Sequence, residues 1–211
     1  MRIDRSGYPF VLGALIPAIA LLALGYRISS VPFFILAGFF LFFFRDPERE
    51  IRGGDDLVLS PADGRVLVAG AADAAVAPPG QWQQISIFLS PTDVHVNRIP
   101  ATGRVTKVDY IPGKFLPAYH HDATLNERTE IWLDARGRTV VFRQVVGMLA
   151  RRIVCRVSVG QDVKAGDRFG VMKFGSRMDV FVPADARLRV QPKDAVRAGD
   201  TVLAELRPYV R

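Results

Sequence analysis

The sequence predicts a mostly β protein: a small sandwich- or barrel-like soluble domain preceded by an N-terminal hydrophobic helical hairpin. Three observations predict it. Two uncharged apolar runs fill most of residues 1–45. From about Asp46 onward, short alternating or apolar runs succeed one another between Gly, Pro and Asp-Gly punctuation, the signature of strands joined by turns. After residue 50 no segment keeps a helical period over about eleven residues.

The hairpin comes first in the chain. Pro9 to Gly25 reads PFVLGALIPAIALLALG and Val31 to Phe44 reads VPFFILAGFFLFFF, with Tyr26-Arg27-Ile28-Ser29-Ser30 between them. As a helix the first run reaches about 26 Å, short of a bilayer core of about 30 Å. A cleaved signal peptide is disfavoured, because Gly25-Tyr26-Arg27 offers no small-x-small site and a second apolar run follows at once. A buried core hairpin is disfavoured because residues 39–44 are apolar on every side, which suits lipid better than one packed face. A membrane hairpin remains, either spanning or dipping. Arg2 and Arg5 precede it and Arg45, Arg49 and Arg52 follow it, against Arg27 alone in the turn. The excess of arginine at the two ends places both, and the domain 46–211, on the cytoplasmic side of the cell membrane.

A net charge of +7 favours an anionic membrane surface. Without a Lys/Arg block interleaved with aromatics, no nucleic-acid partner is expected. The single cysteine, Cys155, excludes an internal disulfide and a Cys-based metal cluster. Its alternating position in IVCRVSV reads as a small buried hydrophobe.

Within 46–211 the strand expectations are LVLS (57–60), RVLVAG (65–70), QQISIFLS (83–90), GRVTKVDYI (103–111), TEIWLDA (129–135), TVVFRQVVG (139–147) and RRIVCRVSVG (151–160). An internal repeat follows: VKAGDRFGVM (163–172) and VRAGDTVLAEL (196–206) share Val-basic-Ala-Gly-Asp, a tight turn feeding a strand. They suggest two quasi-equivalent loops, with FGSRMDVFVP strung between them. In that stretch two strand-like runs flank Phe174-Gly175-Ser176-Arg177. Either this is an ordinary exposed turn, or the Gly175-Ser176 peptide bond is kept for chemistry.

Few residues can carry that chemistry. His95 lies in SPTDVHVNRIP (90–100), and His120 and His121 lie in PGKFLPAYHHDATLNER (112–128). In an extended segment Asp93, His95 and Asn97 share one face, more consistent with a hydrogen-bonding or catalytic surface than with core. Asp63 in SPADGRV (60–66) reads alone as an ordinary Asp-Gly turn, and Asp179 as a solvated or paired strand residue. No HExxH or cysteine pair is present, and the neighbouring rings of His120 and His121 diverge, so no metal is expected. A membrane-anchored Ser-His-Asp esterase would use Ser176, His95 and Asp63, but no GxSxG elbow marks an oxyanion site. An uncleaved carrier-like β module would use Lys173, although that residue falls in a strand rather than at a hairpin tip.

SPADGRV, SPTDVHVNRIP, PGKF followed by NER, and KFGSRMDVFVP together resemble phosphatidylserine decarboxylase proenzymes of the short prokaryotic form, from Arg45-Asp46-Pro47 to the C-terminus. The resemblance implies autocatalytic cleavage at Gly175-Ser176 into a β chain, 1–175, and an α chain, 176–211. The Ser176 hydroxyl attacks the Gly175 carbonyl, the ester eliminates, and residue 176 becomes a covalent pyruvoyl group, the only cofactor implied. The amine of a bilayer phospholipid, phosphatidylserine, forms a Schiff base with that group and loses CO₂, giving phosphatidylethanolamine. By the same resemblance Asp63 orients a histidine as in a triad. Long-form members carry two histidines three positions apart, and here the second place is Arg98. His95 therefore takes both the cleavage and decarboxylation roles, or His120 or His121 supplies one. Arg98, His120 and His121 are assigned to substrate binding. The two cleaved chains are expected to remain a heterodimer, with homo-oligomerisation left open.

Overall fold

The computed structural model describes residues 2–52, 54–119, 123, 125–148, 152–173 and 176–207. The chain divides into two compact units, Met1–Glu48 and Arg49–Arg211.

In the first unit, α1 (Tyr8–Ala23) and α2 (Arg27–Phe43) form an antiparallel hairpin. With its preceding 3₁₀ turn the first helix spans Arg5–Ala23, long and apolar enough to cross a membrane; the second is apolar but shorter. Pro9 opens α1 where its missing N–H is harmless, and Gly25 ends the turn at φ +87°, a left-handed conformation that suits glycine. Phe10 packs on Phe40 and Phe44, and Phe43 meets Phe44 edge to face. The base is closed by pairing of β1 (Arg2–Ile3) with β2 (Arg45–Asp46). Leu12, Ile16, Ile19, Ile28 and Ile35 remain exposed, so the apolar character is not spent on mutual packing.

The second unit is mostly β. Its strands are β3 (Leu57–Leu59), β4 (Gly64–Ala71), β5 (Trp82–Leu89), β6 (Val96–Arg98), β7 (Gly103–Ile111), β8 (Arg128–Ala135) and β9 (Arg138–Val146). There follow β10 (Ile153–Cys155), β11 (Asp162–Val163), β12 (Arg168–Met172), β13 (Ser176–Pro183), β14 (Arg187–Leu188), β15 (Ala195–Val196) and β16 (Val202–Glu205). An antiparallel eight-stranded sheet runs β11-β7-β8-β9-β13-β5-β4-β15; two three-stranded sheets run β10-β12-β6 and β14-β16-β3. One hydrophobic core joins all three, with Ile85, Ile87, Phe142 and Val180 from the large sheet, Phe169 and Met172 from the second, and Val58 and Leu203 from the third.

Flanking strands such as β7 alternate between buried and exposed positions, whereas β9 and β13 are buried nearly throughout. They lie mid-sheet with both faces covered, and the covered outer face carries charge. Arg143 is ion-paired with Glu130, donates to the Val76 carbonyl at 2.6 Å and lies over the Phe181 ring. Asp179 accepts from Arg177 at 2.9 Å and from Ser86 at 2.6 Å. Burial, then the nearby Arg143, holds the Arg128 guanidinium below its ordinary pKa.

One expectation is corrected. The run 151–160 is not one strand: only Ile153–Cys155 pair with β12. Arg156 N–H still reaches the Phe169 carbonyl, but Gly160 N–H has crossed to Val105 in the large sheet, and Gly160 at φ +86° makes the corner. Cys155 is half-buried against the core, and burial raises its thiol pKa.

Gly64 takes the Asp-Gly turn into β4 at φ +152°, where an added Cβ would lie 2.1 Å from the Phe88 carbonyl oxygen. Gly64→Ala must part β4 from β5 and is expected to destabilise the protein by about 3 kcal/mol, read as a lower urea midpoint at unchanged m-value.

Candidate active site

Ser176 is the first residue of β13, pairing with Leu89 of β5 on one side and Val146 of β9 on the other. It does not sit on an exposed turn. Its residue is fully buried, and its Oγ has no hydrogen-bond partner among the described residues. The sequence MDVFVP alone makes a good central strand; two-sided pairing extends it back through Arg177 to the serine. A buried hydroxyl without a partner is unfavourable by about 1–3 kcal/mol, so the fold holds it at a stability cost. Gly175 lies outside the described residues, as do His120 and His121.

His95 arrives at the same end of the sheet. The chain leaves β5 at Leu89, beside Ser176, and turns at once. Asp93 N–H bonds the Ser90 carbonyl, and the Asp93 carboxylate takes Ser90 N–H at 2.8 Å. The extended face expected for Asp93, His95 and Asn97 is therefore not formed: Asp93 is spent on the turn, and only Val96–Arg98 are strand. The His95 ring is buried with Nδ1 2.9 Å from the Asp93 carbonyl oxygen. A carbonyl can only accept, so Nδ1 carries a proton. The His95 carbonyl accepts Met172 N–H, fixing the end of β12 just before the Gly175-Ser176 bond. Upstream that bond is tied to His95, downstream to Leu89 and Val146.

Asp63 holds a different post. Its Oδ2 accepts from Arg49 at 2.6 Å and its Oδ1 from Ala198 N–H at 2.8 Å. Both oxygens are engaged, and the Asp63–histidine contact of a triad is not formed with His95. The reason is the second Ala-Gly-Asp turn, which presents its N–H to the carboxylate. Gly166 and Gly199, both left-handed, bring the two repeated turns together: an added Cβ on Gly199 would lie 3.8 Å from Gly166 Cα and 3.1 Å from Arg98 Cδ. Arg98, almost fully buried, donates to the Gly166 carbonyl at 2.9 Å. Ile51 lies against both glycines, and Arg52 pairs with Asp200.

Asn126 was not singled out from the sequence as a site residue. It is fully buried, accepting Leu116 N–H through Oδ1 and donating through Nδ2 to the Leu116 and Val146 carbonyls, at 2.9, 2.8 and 2.8 Å. It thereby clamps the loop after β7 to the residue paired with Ser176. An asparagine between loop and strand was the available signal, and its reach to Val146 depends on tertiary contacts. Asn126→Ala orphans three backbone groups and is expected to lower stability by about 3 kcal/mol, measured by urea unfolding in detergent.

Comparison with known proteins bears on the whole of this region. The family described as Phosphatidylserine decarboxylase matches residues 36–204. The chain is 46% identical over 169 residues to the phosphatidylserine decarboxylase proenzyme of Prosthecochloris aestuarii, covering 80% of this chain and 77% of that one. It is 41% identical over 206 residues to the proenzyme of the same name from Geotalea uraniireducens, covering 97% and 96% of the two chains. To that of Ehrlichia chaffeensis it is 36% identical over 211 residues, covering 97% and 92%. The chain belongs to the phosphatidylserine decarboxylase family.

Proposed function

We propose that this chain is a self-processing decarboxylase that converts phosphatidylserine to phosphatidylethanolamine after cutting itself between Gly175 and Ser176. The observation that carries the reading is the buried, unpartnered Ser176 hydroxyl at the head of a strand held from both sides. Such a group fits the site of a backbone-derived prosthetic group, since a nucleophile attacking its own preceding carbonyl must be fixed in near-attack geometry.

His95 takes the Ser176 proton. The oxygen bonds to the Gly175 carbonyl carbon, and the C–N bond to Ser176 breaks as that nitrogen is protonated. Loss of the Ser176 Cα proton then breaks the Cβ–O bond. Gly175 is released as a carboxylate and residue 176 is left unsaturated. Tautomerisation and addition of water expel ammonia and leave a pyruvoyl group at the head of β13. That group supplies an electrophilic carbonyl for the substrate amine and a sink for the electrons freed as CO₂ leaves. Through turnover His95 remains the proton carrier. Asp63 acts at a distance, by fixing the 198 turn and Arg49. Arg98, a guanidinium suited to both phosphate and carboxylate, meets the headgroup anion.

The apolar hairpin anchors the enzyme in the cell membrane, where its phospholipid stays, and its flanking arginines put the catalytic unit on the cytoplasmic side. Chains 1–175 and 176–211 remain together as a heterodimer because β13 lies between β5 and β9.

Intact masses of wild type and Ser176→Ala test the reading. Two fragments in the wild type, the smaller with a blocked N-terminus at 176, and one uncut chain in the variant are expected. A single wild-type chain would sink it; a mass increment at Lys173 would point to a carrier, and labelling of Ser176 by an acylating reagent to an esterase.

A further inference from the structure

Only three uncharged side-chain atoms are buried without a partner among the described residues: Asn97 Nδ2, Gln144 Oε1 and Ser176 Oγ. They belong to three separate elements, β6, β9 and β13. Gln144 and Asn97 are hydrogen-bonded to each other, and the strand ladder sets Ser176 on the same face as Gln144.

Gln144 stands opposite Met178 and Ser176 opposite Val146 in the β9–β13 ladder. Side chains on a strand share a face every second residue, so Gln144 and Ser176 project to the same face, as diagonal neighbours with Cα atoms about 7–8 Å apart. That face is the core side, with Met178, Val180 and Phe142. Asn97 comes to it from the second sheet. Gln144 Nε2 donates to Asn97 Oδ1 at 2.9 Å and to the Val154 carbonyl at 3.3 Å. Because the Val154 oxygen can only accept, it fixes which end of the Gln144 amide is nitrogen, and Gln144 in turn fixes Asn97. Both residues are fully buried.

The space for this pair is made by Gly170, the strand partner of Asn97. A Cβ there would fall 2.6 Å from Gln144 Nε2 and 2.3 Å from the Val154 oxygen. What is left over is one oriented NH2 group and one oriented acceptor, inside the core, with Gln144 on the same sheet face as a serine that also lacks a partner. Leu and Met would fill the same volume without orphaned polar atoms. A donor held dry and pre-oriented beside a carbonyl under attack is the arrangement that stabilises an oxyanion.

We infer that Asn97 and Gln144 form the polar site for self-cleavage, with Asn97 Nδ2 donating to the oxyanion that forms on the carbonyl preceding Ser176 and Gln144 holding Asn97 in place. The inference rests on the cleavage reading above. The carbon attacked is the one bonded to Ser176 N. As Oγ bonds to its carbon, the C=O electron pair moves onto oxygen, where Asn97 receives it; the hydroxyl proton passes to His95. Gln144 positions Asn97 through the Nε2–Oδ1 bond. Sequence reading left this oxyanion site unassigned.

The test is the time course of chain cleavage during cell-free synthesis of the full chain with phospholipid vesicles, for wild type, Asn97→Leu, Gln144→Met, the double variant and Ser176→Ala. Stability is measured separately, with each substitution placed in the Ser176→Ala chain so that only uncut proteins are compared. Cleavage of Asn97→Leu and of the double variant is expected to slow by about 100-fold or more, while the uncut double variant unfolds at a urea concentration no lower than Ser176→Ala alone. Replacing both members of an orphaned polar pair by apolar groups of like shape is near neutral or stabilising. A double variant that cleaves within about threefold of the wild-type rate overturns the inference and leaves the cleavage reading intact. A double variant that fails to fold assigns the amides to structure and overturns it too. A wild-type chain that never cleaves removes the cleavage reading first, and this inference with it.

Discussion

Strand β13 is hydrogen-bonded on both edges and covered on both faces, and much else in the catalytic unit follows from that. A strand so enclosed has no solvent to satisfy its polar side chains, so each must find a partner within the protein. On the outer face the partners are ionic: Arg177 and Ser86 serve Asp179, and Glu130 serves the neighbouring Arg143. On the core face Met178, Val180 and Val182 have nothing to satisfy. Ser176 is the exception on that face. It is placed in the apolar row by register alone, since a shift of one residue would turn it outward. The ladder that builds the core thus also strands a hydroxyl inside it.

Around this end of the sheet, the neighbouring segments are fixed by backbone contacts more than by side-chain packing. Met172 N–H meets the His95 carbonyl, Arg98 N–H meets the Pro61 carbonyl, and Ala198 N–H meets Asp63. Short turns with left-handed glycines allow such close approach. Residues 49–52 cross the same region, with Arg49 on Asp63, Ile51 against Gly166 and Gly199, and Arg52 on Asp200. The segment that follows the hairpin is therefore part of the catalytic unit's own packing. Asp63 clasps this segment through Arg49.

Much of the fold was legible because local signals agreed with the tertiary outcome. GRVTKVDYI was read as residues 103–111 and forms β7 over those residues, since alternation is plain in a strand with one wet face. The hairpin was legible from its uninterrupted apolar runs. Legibility failed where tertiary pairing decided the matter. The run 151–160 has strand composition throughout, yet Gly160 turns it between sheets. FGSR has turn composition, yet pairing from both sides carries the strand back to Ser176. The two-residue strands β11, β14 and β15 have no periodicity to read. At the site, Ser176 and His95 stood out as residue types, whereas Asn97, Gln144 and Asn126 matter through where their amides reach. Arg49 could not be matched to Asp63 from fourteen positions away in the sequence.

The central place of β13 also sets the thermodynamics of the processed protein. An uncut chain refolds in a first-order reaction, with β13 tethered to its neighbours through the segment that precedes it. The cut proposed before Ser176 would leave the strand gripped by β5 and β9 but would raise the molecularity of refolding to two. The recovery of native protein then depends on concentration, and the stability of the pair includes a term for association that the precursor lacks. On that proposal folding and scission have an order: the chain must reach its native register while it is still one molecule, and afterwards its persistence rests on how slowly the sheet opens rather than on how readily it can be remade.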